Sequence, residues 1–90
     1  MDVNFSENII FVTVKKAKRN SIITVLENVP KDRMKDILGL CKEKFGCSGH
    51  ILIENGKESI ALQGDQKFKI DKTKCTIFNG FEIKMGKLNE

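Results

Sequence analysis

Two groups of residues in this sequence have the types and spacing to do chemistry: a thiol three residues from an imidazole, Cys47 and His50, and four cations in five positions, Lys15, Lys16, Lys18 and Arg19, with no acid among them. A thiolate beside a base would be a nucleophile. Cys47, however, follows Gly46 at the end of a helical pattern, where the negative end of the helix dipole raises a thiol pKa. The pair therefore reads as a packed cysteine and a surface histidine. Glu58 and Asp65 are isolated acids, and the glycines at 46, 49, 56, 64, 80 and 86 form no phosphate-binding loop. Three cysteines, Cys41, Cys47 and Cys75, with no CxxC, CxxH or HxxxH spacing, support neither a disulfide framework nor a zinc site. The reading is of a protein with no catalytic residues, no metal and no cofactor.

The basic run has two readings. Lysines at a hairpin tip keep it solvated and discourage strand-to-strand association. They also suit phosphate, each contact releasing counterions from an RNA backbone, while Arg19 and Asn20 could reach a base or a 2′-hydroxyl. The chain has no Trp or Tyr and no Lys-Gly-Phe-Gly-Phe type strand, so recognition of single strands by stacking on a sheet is not expected.

The elements that must position these residues follow from periodicity. The β-branched runs at 9–14 and 22–26 flank the loop Lys15 to Ser21 and predict a hairpin. Pro30 suits a helix start, with Asp32 as a cap. Met34, Ile37, Leu38, Cys41 and Phe45 then share one helical face, predicting a helix over 32–45 closed by Gly46. Runs at 50–54 and 58–63 flank Asn55-Gly56-Lys57, and Asn-Gly between strands signals a tight hairpin because both residues accept positive φ. Residues 67–74 are basic and irregular in pattern. Thr76-Ile77-Phe78 and Phe81 to Met85 alternate with period two about Asn79-Gly80, predicting a bent or hairpinned strand. The resulting fold class is α+β, a two-layer sandwich in which one main helix covers one face of a mixed or antiparallel sheet (β-β-α-β-β-(α)-β).

Ninety residues with 16 basic and 12 acidic side chains, a net charge of +4 and 40% hydrophobic residues hold one small core and exclude a two-domain enzyme. A short tail at 1–8, a single domain at 9–85 and a frayed end at 86–90 are expected. No apolar run nears the ~20 residues of a membrane helix, and the acidic start Met1-Asp2-Val3-Asn4 is unlike a signal peptide, so a soluble, intracellular (cytoplasmic) protein is expected, with a monomer as the simpler state.

The residues Thr24-Val25-Leu26-Glu27-Asn28-Val29-Pro30, the segment Lys44-Phe45-Gly46-Cys47-Ser48-Gly49, and Leu62-Gln63-Gly64-Asp65-Gln66, in that order and separation, closely resemble the eukaryotic translation initiation factor 1 (Sui-type) family. Phe45, Cys47 and Gly49 of the second segment and Leu62, Gln63, Gly64, Asp65 and Gln66 of the third are its most specific elements, and the likeness runs over roughly residues 9 to 66. Asn79-Gly80-Phe81 resembles the family's closing His-Gly-Phe.

The resemblance implies a fidelity factor that binds the small ribosomal subunit beside the P site, restrains initiator tRNA and leaves when the start codon is recognised. It implies that the loop carrying Lys15, Lys16, Lys18, Arg19 and Asn20 contacts ribosomal RNA. A helix surface with Lys35, Lys42 and Lys44 would form a second RNA contact, and Asn55, Gly56 and Lys57 would face initiator tRNA. Gln63 to Gln66 has two readings, a turn that orients the next segment or a contact of its own. Asn28 stands where the family has glycine. Residues 67–75 are too short and lysine-rich for the family's full second amphipathic helix, which is expected to be reduced or absent. Other initiation factors are possible partners. The alternative is a protein-interaction module, or a viral or divergent mimic, that occupies the same site without supporting start selection.

Overall fold

The computed structural model describes residues 9–17 and 20–86, in the order β1 (Ile9–Lys16), β2 (Ile22–Glu27), α1 (Lys31–Phe45), β3 (Gly49–Glu54), β4 (Lys57–Gln63), α2 (Lys67–Lys72) and β5 (Glu82–Met85). The two β-branched runs pair as the predicted antiparallel hairpin, with Val12 opposite Leu26 and Lys16 opposite Ile22. β3 and β4 form the second, and their turn residues Asn55 (φ 51°) and Gly56 (φ 79°) both take the left-handed region. Lys57 is already in β4, opposite Glu54.

The sheet has five strands in the order β3-β4-β2-β1-β5. All neighbours are antiparallel except β1 and β5, which run parallel with Ile10 opposite Ile83. This gives the mixed sheet of the expected α+β sandwich. Side chains alternate across each strand, so Ile10, Val12, Leu26, Ile60 and Leu62 share the face toward the helices, all fully buried.

α1 meets that face through Met34, Ile37, Cys41 and Phe45, as the spacing predicts. It starts at Lys31, one residue early, with Pro30 in the cap position (φ −59°, ψ 139°) and no side-chain cap. Asp32 therefore does not cap the helix; it lies in the first turn, where a carboxylate complements the dipole. At the other end Gly46 takes φ 64°, and its N–H and that of Cys47 both reach the Lys42 carbonyl. That double bond pattern is how a helix closes on a left-handed glycine.

The second helix is reduced but present: α2 keeps six residues and buries Ile70 completely. One segment differs from expectation. Thr76-Ile77-Phe78 is not strand. Residues 73–80 form successive turns, with N–H groups of Thr76, Asn79 and Phe81 bonded to the carbonyls of Thr73, Thr76 and Phe78. Ile77 and Phe78 are consecutive and both buried, the turns letting adjacent side chains point inward. Only Glu82–Met85 is extended, and Gly86 adds a bond from its N–H to the Val12 carbonyl.

Gly49 lies against β4 so closely that a Cβ would sit 2.8 Å from Leu62 Cδ2 and 2.9 Å from the Ala61 carbonyl oxygen. Because Leu62 is fully buried and Ala61 presents backbone, neither yields cheaply. Gly49→Ala should cost about 1–3 kcal/mol in urea denaturation. Gly39→Ala, in mid-helix with nothing within 4 Å, should instead gain about 0.5–1 kcal/mol.

Candidate nucleic-acid interface

Strand direction decides which charges meet. β1 ends and β2 begins at the basic loop, and because β2 pairs antiparallel with β4 (Ile23 opposite Gln63), the end of β4 returns to the same place. The Gly64 N–H donates to the Ile22 carbonyl at 2.7 Å, and the Gln63 N–H to the Ser48 carbonyl at 2.9 Å. Lys69 Nζ donates to the Phe45 carbonyl at 3.0 Å, tying α2 to the end of α1. Lys15, Lys16, Asn20, Lys42, Lys44 and Gln63 to Gln66 thus share one end of the domain.

All four of those lysines and Asn20 are exposed. The ion pairs among the described residues, Lys74 with Asp71 at 3.2 Å and Lys84 with Glu82 at 4.0 Å, involve none of them. Asn20 sits at φ 65°, and the Ala17 N–H closes the loop on the Ser21 carbonyl at 2.7 Å. Lys18 and Arg19 lie outside the described residues. Lys35 is exposed but nearer the start of α1. At about 100° per residue, Lys35 and Lys42 flank one side of the buried stripe and Lys44 the other. The three do not make a single surface.

The Gln63 to Gln66 turn is built into this end through Thr24. Buried on the helix side of β2, the Thr24 hydroxyl donates to the Gly64 carbonyl at 2.7 Å and accepts from the Gln66 N–H at 2.8 Å. Gly64 holds φ 85° to make the turn. Gln66 is buried, its Nε2 donating to the Gln63 carbonyl at 2.7 Å, while its Oε1 is buried without a partner. Asp65 is exposed, its Oδ1 accepting from the Lys67 N–H at 3.2 Å. Of the two readings of the motif, Gln66 carries the orienting one and Asp65 keeps its carboxylate toward solvent.

Asn55, Gly56 and Lys57 are exposed at the opposite end, beside the start of α1. A groove of about 540 Å³ lies there, lined by Phe11, Val29 and Met34 together with Glu27, Glu54 and Glu58. The RNA-facing and tRNA-facing candidates are separated by the length of β3 and β4.

The thiol and imidazole are not brought into a catalytic pair. Cys47 packs against the core beside α1, whereas His50 stands opposite Ala61 on the sheet face turned away from the helices. Burial pushes the Cys47 thiol up, with the Lys69 and Lys42 ammoniums pulling the other way. Burial pushes Cys41 up to about 12, with Cys47 adding to the rise. Neither thiol is activated.

Sequence reasoning passed over one residue. Phe68, within the lysine-rich stretch, is 68% exposed, and Lys72 Nζ lies 4.6 Å from its ring centroid. Its signal was an aromatic two positions from the only core residue of a short amphipathic turn.

The family model for translation initiation factor SUI1 matches residues 6–73 of the 90. No curated protein matches the sequence. No helix among the described residues is long and apolar enough to cross a membrane.

Thr24→Val keeps the shape at the centre of the turn but strands the Gly64 carbonyl and the Gln66 N–H. A loss of about 2 kcal/mol in urea denaturation is expected, with faster hydrogen exchange at the Gln66 amide. Cys41 gives a pH dependence. Its thiol ionises near 9.0 in the unfolded chain and near 12 when folded. The folded state therefore keeps a proton that the unfolded state releases, and its contribution is whole below about pH 9 and lost on rising toward pH 12. Across that window wild type should lose stability more steeply than Cys41→Ala.

Proposed function

The chain belongs to the translation initiation factor SUI1 family, and from that premise we propose that it binds the small ribosomal subunit beside the P site and controls the fidelity of start-codon selection. The observation that carries this reading is the gathering of Lys15, Lys16, Lys42 and Lys44 around one end of the domain, exposed and outside any ion pair of the described residues. Lys18 and Arg19 add to the same loop in sequence. Flexible cations on a short rigid hairpin can follow an RNA backbone without a preformed pocket. Lys35 extends the contact along one flank of α1, and Asn20 supplies a polar group for a base or 2′-hydroxyl.

The Asn55-Gly56-Lys57 turn, projecting from the far end, is the part that meets initiator tRNA. A rigid two-residue hairpin placed this way acts as a steric gauge: while the factor is seated, tRNA cannot settle fully, and when tRNA settles the factor leaves. Two ligands that exclude one another weaken each other by the same factor. No catalytic step is needed, and the working place of such a factor is the cytoplasm. Other initiation factors join through surfaces not used for RNA.

Binding of labelled protein to purified small subunits across a salt series tests the reading. Wild type should bind with a steep salt dependence. Changing Lys15, Lys16, Lys18 and Arg19 together to Ala should lower the logarithmic salt slope by about 3, at roughly 0.7–0.9 for each phosphate no longer neutralised. Added initiator tRNA should weaken factor binding, and the factor should weaken tRNA binding equally. If wild type fails to bind subunits, the ribosomal role is wrong and the fold serves as a protein-interaction module. Binding with no restoration of start-codon stringency in cells lacking their own factor would identify a mimic.

A further inference from the structure

α2 commits only Ile70 to the core. At about 100° per residue Phe68 and Lys72 both point away from it, into solvent. Phe68 is the most exposed large hydrophobic side chain among the described residues. The Lys72 ammonium lies over its ring, and toward β5 a shallow cleft of about 490 Å³ is lined by Asp65, Lys67, Phe68, Asp71 and Met85. Met85 is 39% exposed. The cleft therefore has a flat π surface and a polarizable thioether as apolar walls, two carboxylates, and ammonium groups at its edge.

Those chemistries match a nucleobase. A base stacks on a Phe ring whatever its identity, and a thioether packs well against a π face. The carboxylates of Asp65 and Asp71 accept hydrogen bonds from an exocyclic amino group, which adenine, cytosine and guanine carry. Uracil meets them with two carbonyl oxygens, which they repel, and a single imide N–H. Lys67 and Lys72 are placed for the phosphates on either side; Lys69 and Lys74 are engaged by the Phe45 carbonyl and Asp71. β5 pairs with β1, the strand whose far end carries Lys15 and Lys16, so the cleft continues the basic end along one strand.

We propose that Phe68 and Met85 form a stacking cleft for an unpaired, amino-bearing RNA base, a contact that rests on the ribosomal reading above and adds a single-stranded element to it. Along residues 65–74 four lysines outnumber two aspartates, and that net positive charge favours RNA over a protein partner.

The test is an NMR titration of the full chain with single-stranded RNA hexanucleotides of A, of C and of U, read at the amides of 67–72 and 82–86. A and C should shift those resonances and bind several-fold more tightly than U. Phe68→Ala should weaken A and C by about tenfold and Phe68→Trp should keep them, as expected for loss and retention of one stacked base. Because Phe68 is outside the core, the Ala variant should fold as wild type does. Shifts confined to the β1–β2 loop, or equal binding by Phe68→Ala, overturn the cleft while leaving the loop's role in subunit binding intact. Loss of affinity for intact subunits without loss for free RNA would assign Phe68 to a ribosomal protein and also overturn it.

Discussion

The Thr24 hydroxyl is where this small fold is held together at its basic end. One oxygen on the central strand donates to the carbonyl of Gly64 and accepts from the amide of Gln66, so β2, the end of β4 and the start of α2 share one buried atom. The positions of the neighbours follow from it. Gly64 turns left-handed to leave the sheet, Gln66 folds inward, and Lys69 reaches across to the last carbonyl of α1. A polar junction in so small a core costs desolvation unless its groups are paired. Here both backbone groups are, and the return is a fixed platform under the flexible lysine side chains.

Strand direction then separates two tasks. The hairpin β1–β2 presents its turn at the Gly64 end, and β3–β4 presents its turn at the opposite end, because β2 and β4 are antiparallel neighbours. Charges for RNA and the rigid Asn-Gly corner cannot interfere with each other. In the proposed function this matters, since affinity for the subunit and sensitivity to tRNA can be altered independently by changes at either end. In that proposal the domain is a spacer whose two ends touch different things.

Much of this was legible in the sequence, and the rest was not for identifiable reasons. Both hairpins and α1 could be read because each residue's local preference agrees with its place: β-branched runs, Asn55-Gly56 at positive φ, a 3.6-residue apolar stripe and Gly46. The segment after Gln66 could not, because α2 has one core residue in six and a single burial has no period. Ile77 and Phe78 looked like strand by their types, yet turns let adjacent side chains both point inward. Asp32 had the right chemistry for a cap, but Pro30 took the position. The gathering of Lys42 and Lys44 with Lys15 and Lys16 depends on β4 lying beside β2, and no linear pattern encodes that pairing. The same holds for Phe68 and Met85, which line one cleft only because β5 returns to the edge of β1.

That returning strand also bears on how the chain acquires its shape. Each antiparallel pair within a hairpin closes a short loop, whereas Ile10 meets Ile83 from nearly the other end of the sequence. Closing so long a loop carries an entropic cost that grows slowly with length but must be met before any contact rewards it. During synthesis the first hairpin, α1 and the second hairpin can assemble as they emerge, while β1 keeps one edge open until the final strand is free of the ribosome. Phe78, the largest fully buried side chain among the described residues, arrives with that last segment. The core is sealed from the C-terminal side, and a chain cut short before residue 78 would carry both hairpins and α1 around an unfilled centre.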